Sequence, residues 1–224
     1  MNLTPVQSRI VGCLIEKEMA TPDNYPLTMN ALLAACNQTS NRNPVTKLEE
    51  PTVSNALENL RAMQVVRIVY SRSNRADKFR HVLDEMLGLG PEHMAILSVL
   101  MLRGAQTTSE LRARTERLHP FETLDEVDGA LRHLASRGEP LTARLERRPG
   151  QKENRWAHLL GGDLAEVLAG DNDDGDDARP TQRADRLAVL EDAVADLRAE
   201  LDLLRAAHRR LAARLGEADD DAGG

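Results

Sequence analysis

Apolar residues recur along the chain with two periods, and the change from one to the other marks out its elements. Pro5-Val6-Gln7-Ser8-Arg9-Ile10-Val11-Gly12-Cys13-Leu14 and Pro91-Glu92-His93-Met94-Ala95-Ile96-Leu97-Ser98-Val99-Leu100 each open on proline, after Thr4 or Gly90, and continue at helical spacing. Proline suits a first helical turn because the N–H it lacks would be unpaired there. A short second helix follows in each stretch, over Thr28–Ala35 and Thr108–Arg114. Val53, Ala56, Leu57 and Leu60, like Val127, Ala130, Leu131 and Leu134, recur at i, i+3, i+4 and i+7, which hides one face of a third helix. The period then drops to two. Val65–Tyr70 with Lys78–Leu83, and Leu141–Leu145 with Arg155–Leu160, read as paired strands. The polar stretches Ser71–Asp77 and Glu146–Asn154, the second containing Pro149-Gly150, are the hairpin loops between them.

Helix, helix, helix, hairpin is thus written twice from unlike residues, the mark of an internal repeat. It predicts an α+β fold, mainly α with small β-hairpins, in which two winged helix-turn-helix domains stand in tandem over residues 1–87 and 88–162. Next, Gly170-Asp171-Asn172-Asp173-Asp174-Gly175-Asp176-Asp177 holds no apolar residue. It has no surface to bury against its ordering entropy, so residues 163–180 are expected to form an acidic flexible linker. Beyond Pro180, Leu187, Leu190, Val194, Leu197, Leu201, Leu204, His208, Leu211 and Leu215 keep a 3-4-3-4 spacing. A seam of about four heptads predicts a coiled-coil helix over 181–217, then a disordered acidic tail over 218–224. In a parallel pair Arg186 faces Glu191 and Glu200 faces Arg205, both attractive, while His208 at an a position favours a defined register. A homodimer through this helix is the expectation; a single amphipathic helix lying back on the body is the alternative.

Composition narrows the partners. The 224 residues are 41% hydrophobic but only 2% aromatic: Trp156, Tyr25, Tyr70, Phe79 and Phe121 are the full set. A stacking platform for single-stranded nucleic acid is therefore excluded. No apolar run approaches the roughly 18–20 residues of a membrane span. The start MNLTPVQSR lacks a secretory pattern, so a soluble cytoplasmic protein with no membrane partner is expected. The net charge of −7 divides into +1 over residues 1–90, +1 over 91–160 and −9 over 161–224. The acidity belongs to the tail.

Basic residues cluster at the hairpins. Arg67, Arg72, Arg75, Lys78 and Arg80 stand against Asp77 alone; Arg132, Arg137, Arg144, Arg147, Arg148, Lys152 and Arg155 stand against Glu139, Glu146 and Glu153. Each cluster nets +4. Such wings suit DNA phosphates, with a solvated face as the plain alternative. The third helix of the first repeat leaves Asn55 and Asn59 exposed one turn apart, where they are candidates to read adenine edges. That of the second opens with Asp125, Glu126 and Asp128, which suit a helix N-terminus but repel phosphate.

The long connection Cys36-Asn37-Gln38-Thr39-Ser40-Asn41-Arg42-Asn43-Pro44 is read either as local turns and caps or as a docking loop through Asn41 and Arg42. Cys13 and Cys36, outside any CxxC pair, are expected as buried thiols, and the six histidines show no metal-ligand spacing. No nucleophile–base set or phosphate-cradling glycine loop is discernible, so neither catalysis, metal nor cofactor is expected.

Several of these residues resemble the bacterial YceH family. The likeness rests on Gly12-Cys13-Leu14-Ile15-Glu16-Lys17, Tyr25-Pro26-Leu27, Cys36-Asn37-Gln38 and Asn41-Arg42-Asn43-Pro44. It continues in Leu102-Arg103-Gly104-Ala105-Gln106-Thr107, Glu110-Leu111-Arg112, and Arg148-Pro149-Gly150 through Arg155-Trp156-Ala157-His158-Leu159, covering about residues 3–162. The resemblance implies two winged-helix domains in a cytosolic bacterial protein of uncharacterised function, and it brings no catalytic residue, ligand or operator. The expectation is a dimeric, DNA-associated regulatory protein using its first winged helix. The rival is a non-enzymatic adaptor using the winged helices to bind an unknown protein partner.

Overall fold

Thr4 starts the first helix with a capping box: its hydroxyl accepts from the Gln7 N–H at 3.3 Å, and the Gln7 amide oxygen accepts from the Thr4 N–H at 2.9 Å. The computed structural model describes residues 1–70, 76–147 and 153–161. In the first repeat the order is α1 (Pro5–Ala20), a 3-10 turn, β1 (Leu27–Thr28), α2 (Met29–Cys36), α3 (Glu50–Ala62), β2 (Val66–Val69), β3 (Lys78–His81) and α4 (Leu83–Leu87). The second follows as α5 (Pro91–Arg103), β4 (Gln106–Thr107), α6 (Thr108–Thr115), α7 (Leu124–Ala135), β5 (Thr142–Arg144) and β6 (Arg155–His158). All described residues fall in one compact unit of mixed helix and small antiparallel sheet. The expected linker, coiled-coil helix and tail lie outside the described residues.

Each repeat closes a three-stranded antiparallel sheet with the long-range strand in the middle, β1-β3-β2 and β4-β6-β5. The registers are equivalent: Leu27 pairs with Phe79 and Gln106 with Trp156, while Val66 pairs with His81 and Thr142 with His158. Thr28 and Thr107 end the first strand of each sheet and cap the following helix, their hydroxyls accepting from Ala31 and Glu110 N–H groups.

The helices and hairpins stand where periodicity puts them, with differences at their ends. α1 runs on to Ala20, and the hairpin strand expected over Lys78–Leu83 stops at His81 because Leu83 begins α4. β1, β4 and α4 are additions that the periodicity does not predict. Two-residue strands carry no alternation, and a five-residue helix carries barely one turn of periodicity.

One apolar cluster runs through both repeats, from Leu3 to Leu160. α1 packs on α5 through equivalent positions of the repeat, and there the Ser98 hydroxyl donates to the Gly12 carbonyl at 3.0 Å. A Cβ on Gly12 would lie 3.0 Å from the side chains of Leu102 and Met101, so the close approach requires glycine. The Leu3 N–H donates to the Leu160 carbonyl at 2.6 Å, and Arg137 donates to the Leu87 carbonyl at 2.6 Å, tying the repeats at two further points. Among the described residues no helix is long and apolar enough to cross a membrane.

Candidate nucleic-acid interface

α3 buries Val53, Ala56, Leu57 and Leu60 and turns Asn55, Glu58, Asn59 and Arg61 outward. Beside it a groove of about 580 Å³ runs between α3, the start of α2 and the inner face of the hairpin. Glu50, Ser54, Glu58 and Arg61 line it from α3, and Ile68, Asp77 and Phe79 from the hairpin. Three carboxylates against one guanidinium make this groove a poor seat for phosphate. Asn55 and Asn59 do not line it. They stand on the exposed part of the helix, a position open to a base edge.

The hairpin cations divide. Side chains alternate across a strand, and the ladder puts Arg67 directly opposite Arg80, with Phe79 and His81 turned into the core. Arg67, Lys78 and Arg80 therefore share the outer face of the sheet, opposite to the groove. Like charges directly opposed destabilise a ladder, and Glu85 of α4 relieves them: its carboxylate reaches Arg67 at 3.3 Å and Arg80 at 2.5 Å. Glu85 escapes a reading of the hairpin alone because it follows the second strand, and any phosphate at these two arginines must displace it. Arg72 and Arg75 lie outside the described residues, as does the expected dimerisation seam from Leu187 to Leu215.

Asn41 and Arg42 are corrected by the structure. The Arg42 side chain is 0% exposed and donates to Glu16 at 3.0 and 2.7 Å, to the carbonyls of Ala35 at 3.0 Å and Asn41 at 2.8 Å, and to Gln38 at 2.8 Å. A guanidinium so occupied holds the loop and docks nothing. Burial raises the Glu16 carboxyl, and the hydrogen bonds and charge of Arg42 outweigh it, leaving Glu16 below the usual carboxylate range. Asn41 adopts a left-handed backbone and accepts from Arg103 through its amide oxygen. Asn37 clasps Leu48 in both directions, at 2.8 and 2.7 Å, so the long connection is a chain of turns and clamps. The signal for this lay in Glu16, a carboxylate ending an apolar run and needing a partner. Cys13 and Cys36 are free and buried.

In the second repeat Asp125 and Glu126 occupy the first turn of α7, where Thr123 caps it. Arg132 pairs with Asp128 at 3.0 Å while staying exposed, and Arg137 donates to the Leu87 carbonyl of the first repeat, which takes one member of the second basic cluster away from its surface. Arg148 and Lys152 lie outside the described residues. Among those described, no group of three or more His, Cys, Asp or Glu side chains is arranged to hold a metal.

A family model described as "Protein of unknown function, DUF480" matches residues 3–151. The chain belongs to this family. A UPF0502 protein of Pelobacter propionicus is 49% identical over 208 residues, 92% of this chain and 94% of the relative. One from Geobacter sulfurreducens is 49% identical over 197 residues, 87% and 90% of the two chains. One from Burkholderia cenocepacia is 40% identical over 217 residues, 96% and 90%. The likeness spans both repeats, as the motifs from Gly12 to Leu159 imply, and the family is an uncharacterised bacterial one.

Proposed function

We propose that each repeat is a winged helix-turn-helix and that the first binds duplex DNA, as the DNA-contacting part of a non-enzymatic cytoplasmic regulatory protein. The observation that carries this reading is α3: an amphipathic third helix, backed by a three-stranded sheet, with Asn55 and Asn59 exposed one turn apart on its outer face. Amide side chains at that spacing suit adenine edges in a major groove. Arg72 and Arg75, which lie between β2 and β3 in the chain, and Lys78 at the start of β3 supply phosphate contacts. Dimerisation through Leu187–Leu215 pairs two such heads and favours paired half-sites.

Reversing Arg72, Arg75 and Lys78 to glutamate in the full chain tests the wing. The expected outcome is weaker duplex binding at low salt and a shallower salt dependence, read by fluorescence anisotropy. Unchanged affinity removes the wing from the interface.

The second reading, an adaptor that binds a protein partner, is favoured by α7. Its first turn presents Asp125 and Glu126, and Gly129 stands at the position equivalent to Asn55. That surface lacks a base reader and repels phosphate. Pull-down with the full chain, compared with a chain carrying Asp125→Ser and Glu126→Gln, tests it: a partner lost with those two changes supports the adaptor, and no enrichment opposes it.

A further inference from the structure

The groove between α3, the start of α2 and the first hairpin is not used by the proposed DNA contacts, since neither Asn55 nor Asn59 lines it. Its volume of about 580 Å³ falls within the roughly 300–1,000 Å³ of small-molecule sites. The floor is apolar: Leu57 comes from α3, Met29 from α2, and Ile68 and Phe79 from the sheet. Met29 and Ile68 are half-buried, so part of this apolar surface meets solvent. Ile68 and Phe79 are directly opposed in the ladder and turn away from the face that carries Arg67 and Arg80.

Charge is confined to the rim. Glu50 and Glu58 line the groove from α3 and Asp77 from the hairpin, and all three are exposed. Among the described residues none of these carboxylates is in an ion pair. Arg61, near the end of α3, is the one cation among the described lining residues. Glu50 and Glu58 stand about 12 Å apart along the helix axis at 1.5 Å per residue.

The second repeat shows that the fold does not require this combination. Ladder and cap positions set Arg144 in place of Ile68 and Thr108 in place of Met29, and Arg132 stands in place of Glu58. The equivalent groove, of about 330 Å³, holds Arg144 and Arg147 beside Asp128 and Glu153. An apolar floor under an acidic rim therefore belongs to the side chains of the first repeat.

We propose that the groove of the first repeat binds a linear aliphatic polyamine, its ammonium groups meeting Glu50, Glu58 and Asp77 and its methylene chain lying on Met29 and Ile68. A bare metal ion leaves the floor uncovered, and a neutral apolar molecule leaves the carboxylates unmatched. An elongated cation with an apolar stem satisfies both. An extended chain advances roughly 1.2 Å per bond, so about ten bonds span the two glutamates. Spermidine has close to that length, and putrescine about half of it. The site stands independently of the DNA-binding reading.

Calorimetric titration of the full chain with spermidine, putrescine and magnesium ion tests it. The expected result is that spermidine binds at least tenfold more tightly than either of the others. Glu50→Gln/Glu58→Gln should weaken spermidine binding at least tenfold. Ile68→Arg, which installs the residue of the second repeat, should do the same while leaving all three carboxylates in place. Asp171→Asn/Asp173→Asn/Asp174→Asn, in the acidic stretch beyond the repeats, should leave binding unchanged, which separates the groove from the diffuse attraction of an acidic chain. Spermidine binding no tighter than magnesium overturns the proposal. So does binding that is lost with the three aspartate changes yet kept in both groove variants.

Discussion

The two repeats share a backbone and a ladder register but dress their third helices and hairpins differently. Where α3 exposes Asn55 and Asn59, α7 has Gly129 and His133, the latter with its ring 4.7 Å from that of His93. Where β2 and β3 oppose Arg67 and Arg80, β5 and β6 oppose Ala143 and Ala157. The positions that face the core stay apolar in both: Val53 and Val127, Leu57 and Leu131, Leu60 and Leu134. Packing therefore constrains one face of each element, and chemistry diverges on the other. A fold repeated in this way does not oblige both copies to bind the same partner.

The largest expected contrast lies in the connections between second and third helices. In the first repeat Arg42 is fully buried against Glu16; in the second, the exposed Arg112 donates to the carbonyls of Phe121 at 3.2 Å and Glu122 at 2.8 Å. Arg42→Ala removes the buried guanidinium that clamps the loop and leaves the partly buried Glu16 with only Lys17 at 3.3 Å, and should cost about 3 kcal/mol. Arg112→Ala should cost about 1 kcal/mol. Urea unfolding of the two variants measures both, and equal losses would contradict the difference in anchoring.

The next contrast is between histidines at equivalent ladder positions. His81 has Glu18 at 2.5 Å and Asp84 at 3.4 Å, whereas burial alone acts on His158 and lowers its pKa to about 4. A histidine whose folded pKa is depressed binds fewer protons folded than unfolded between the two values. Its contribution is full above about pH 6.5 and is lost as pH falls toward 4, by up to about 3 kcal/mol. The pH profile of the urea midpoint should show that slope, and His158→Phe should flatten it. A slope that persists in the variant would assign it elsewhere.

Two helical glycines give a smaller contrast of opposite sign. Gly12→Val drives a side chain into Met101 and Leu102 and should destabilise by about 1–3 kcal/mol. At Gly129 an added Cβ meets nothing within 4 Å, so Gly129→Ala should stabilise by about 1 kcal/mol through helix propensity. Melting temperatures moving the same way in both would break the assignment of Gly12 to a crowded crossing.

The smallest effect concerns the first hairpin. Glu85→Gln frees Arg67 and Arg80 and should tighten duplex binding about two- to fivefold at low salt, with no counterpart in the second repeat, where those positions are alanines. Weaker binding in this variant would place Glu85 outside any competition with phosphate.

Much of the architecture is legible in the chain because apolar spacing is the physical cause of the helices and hairpins. The interiors of α1, α3, α5 and α7 follow directly from it. Interactions between distant residues are not legible in that way. Arg42 sits among asparagine, serine and proline and looks like a surface cation, since its partner Glu16 lies 26 positions away. Arg67 and Arg80 count as free cations until α4 brings Glu85 across them.

The most direct test of the proposed role is fluorescence anisotropy of the full chain with pooled genomic duplex fragments, titrated across salt with unlabelled competitor present. Wild-type protein, Asn55→Ala/Asn59→Ala and Asp125→Ser/Glu126→Gln would be compared. The account predicts binding that falls steeply with salt and survives competitor. It also predicts a loss of about tenfold or more in the α3 variant, with little change in the α7 variant. No binding at low salt, or an α3 variant that binds like wild type, would contradict it.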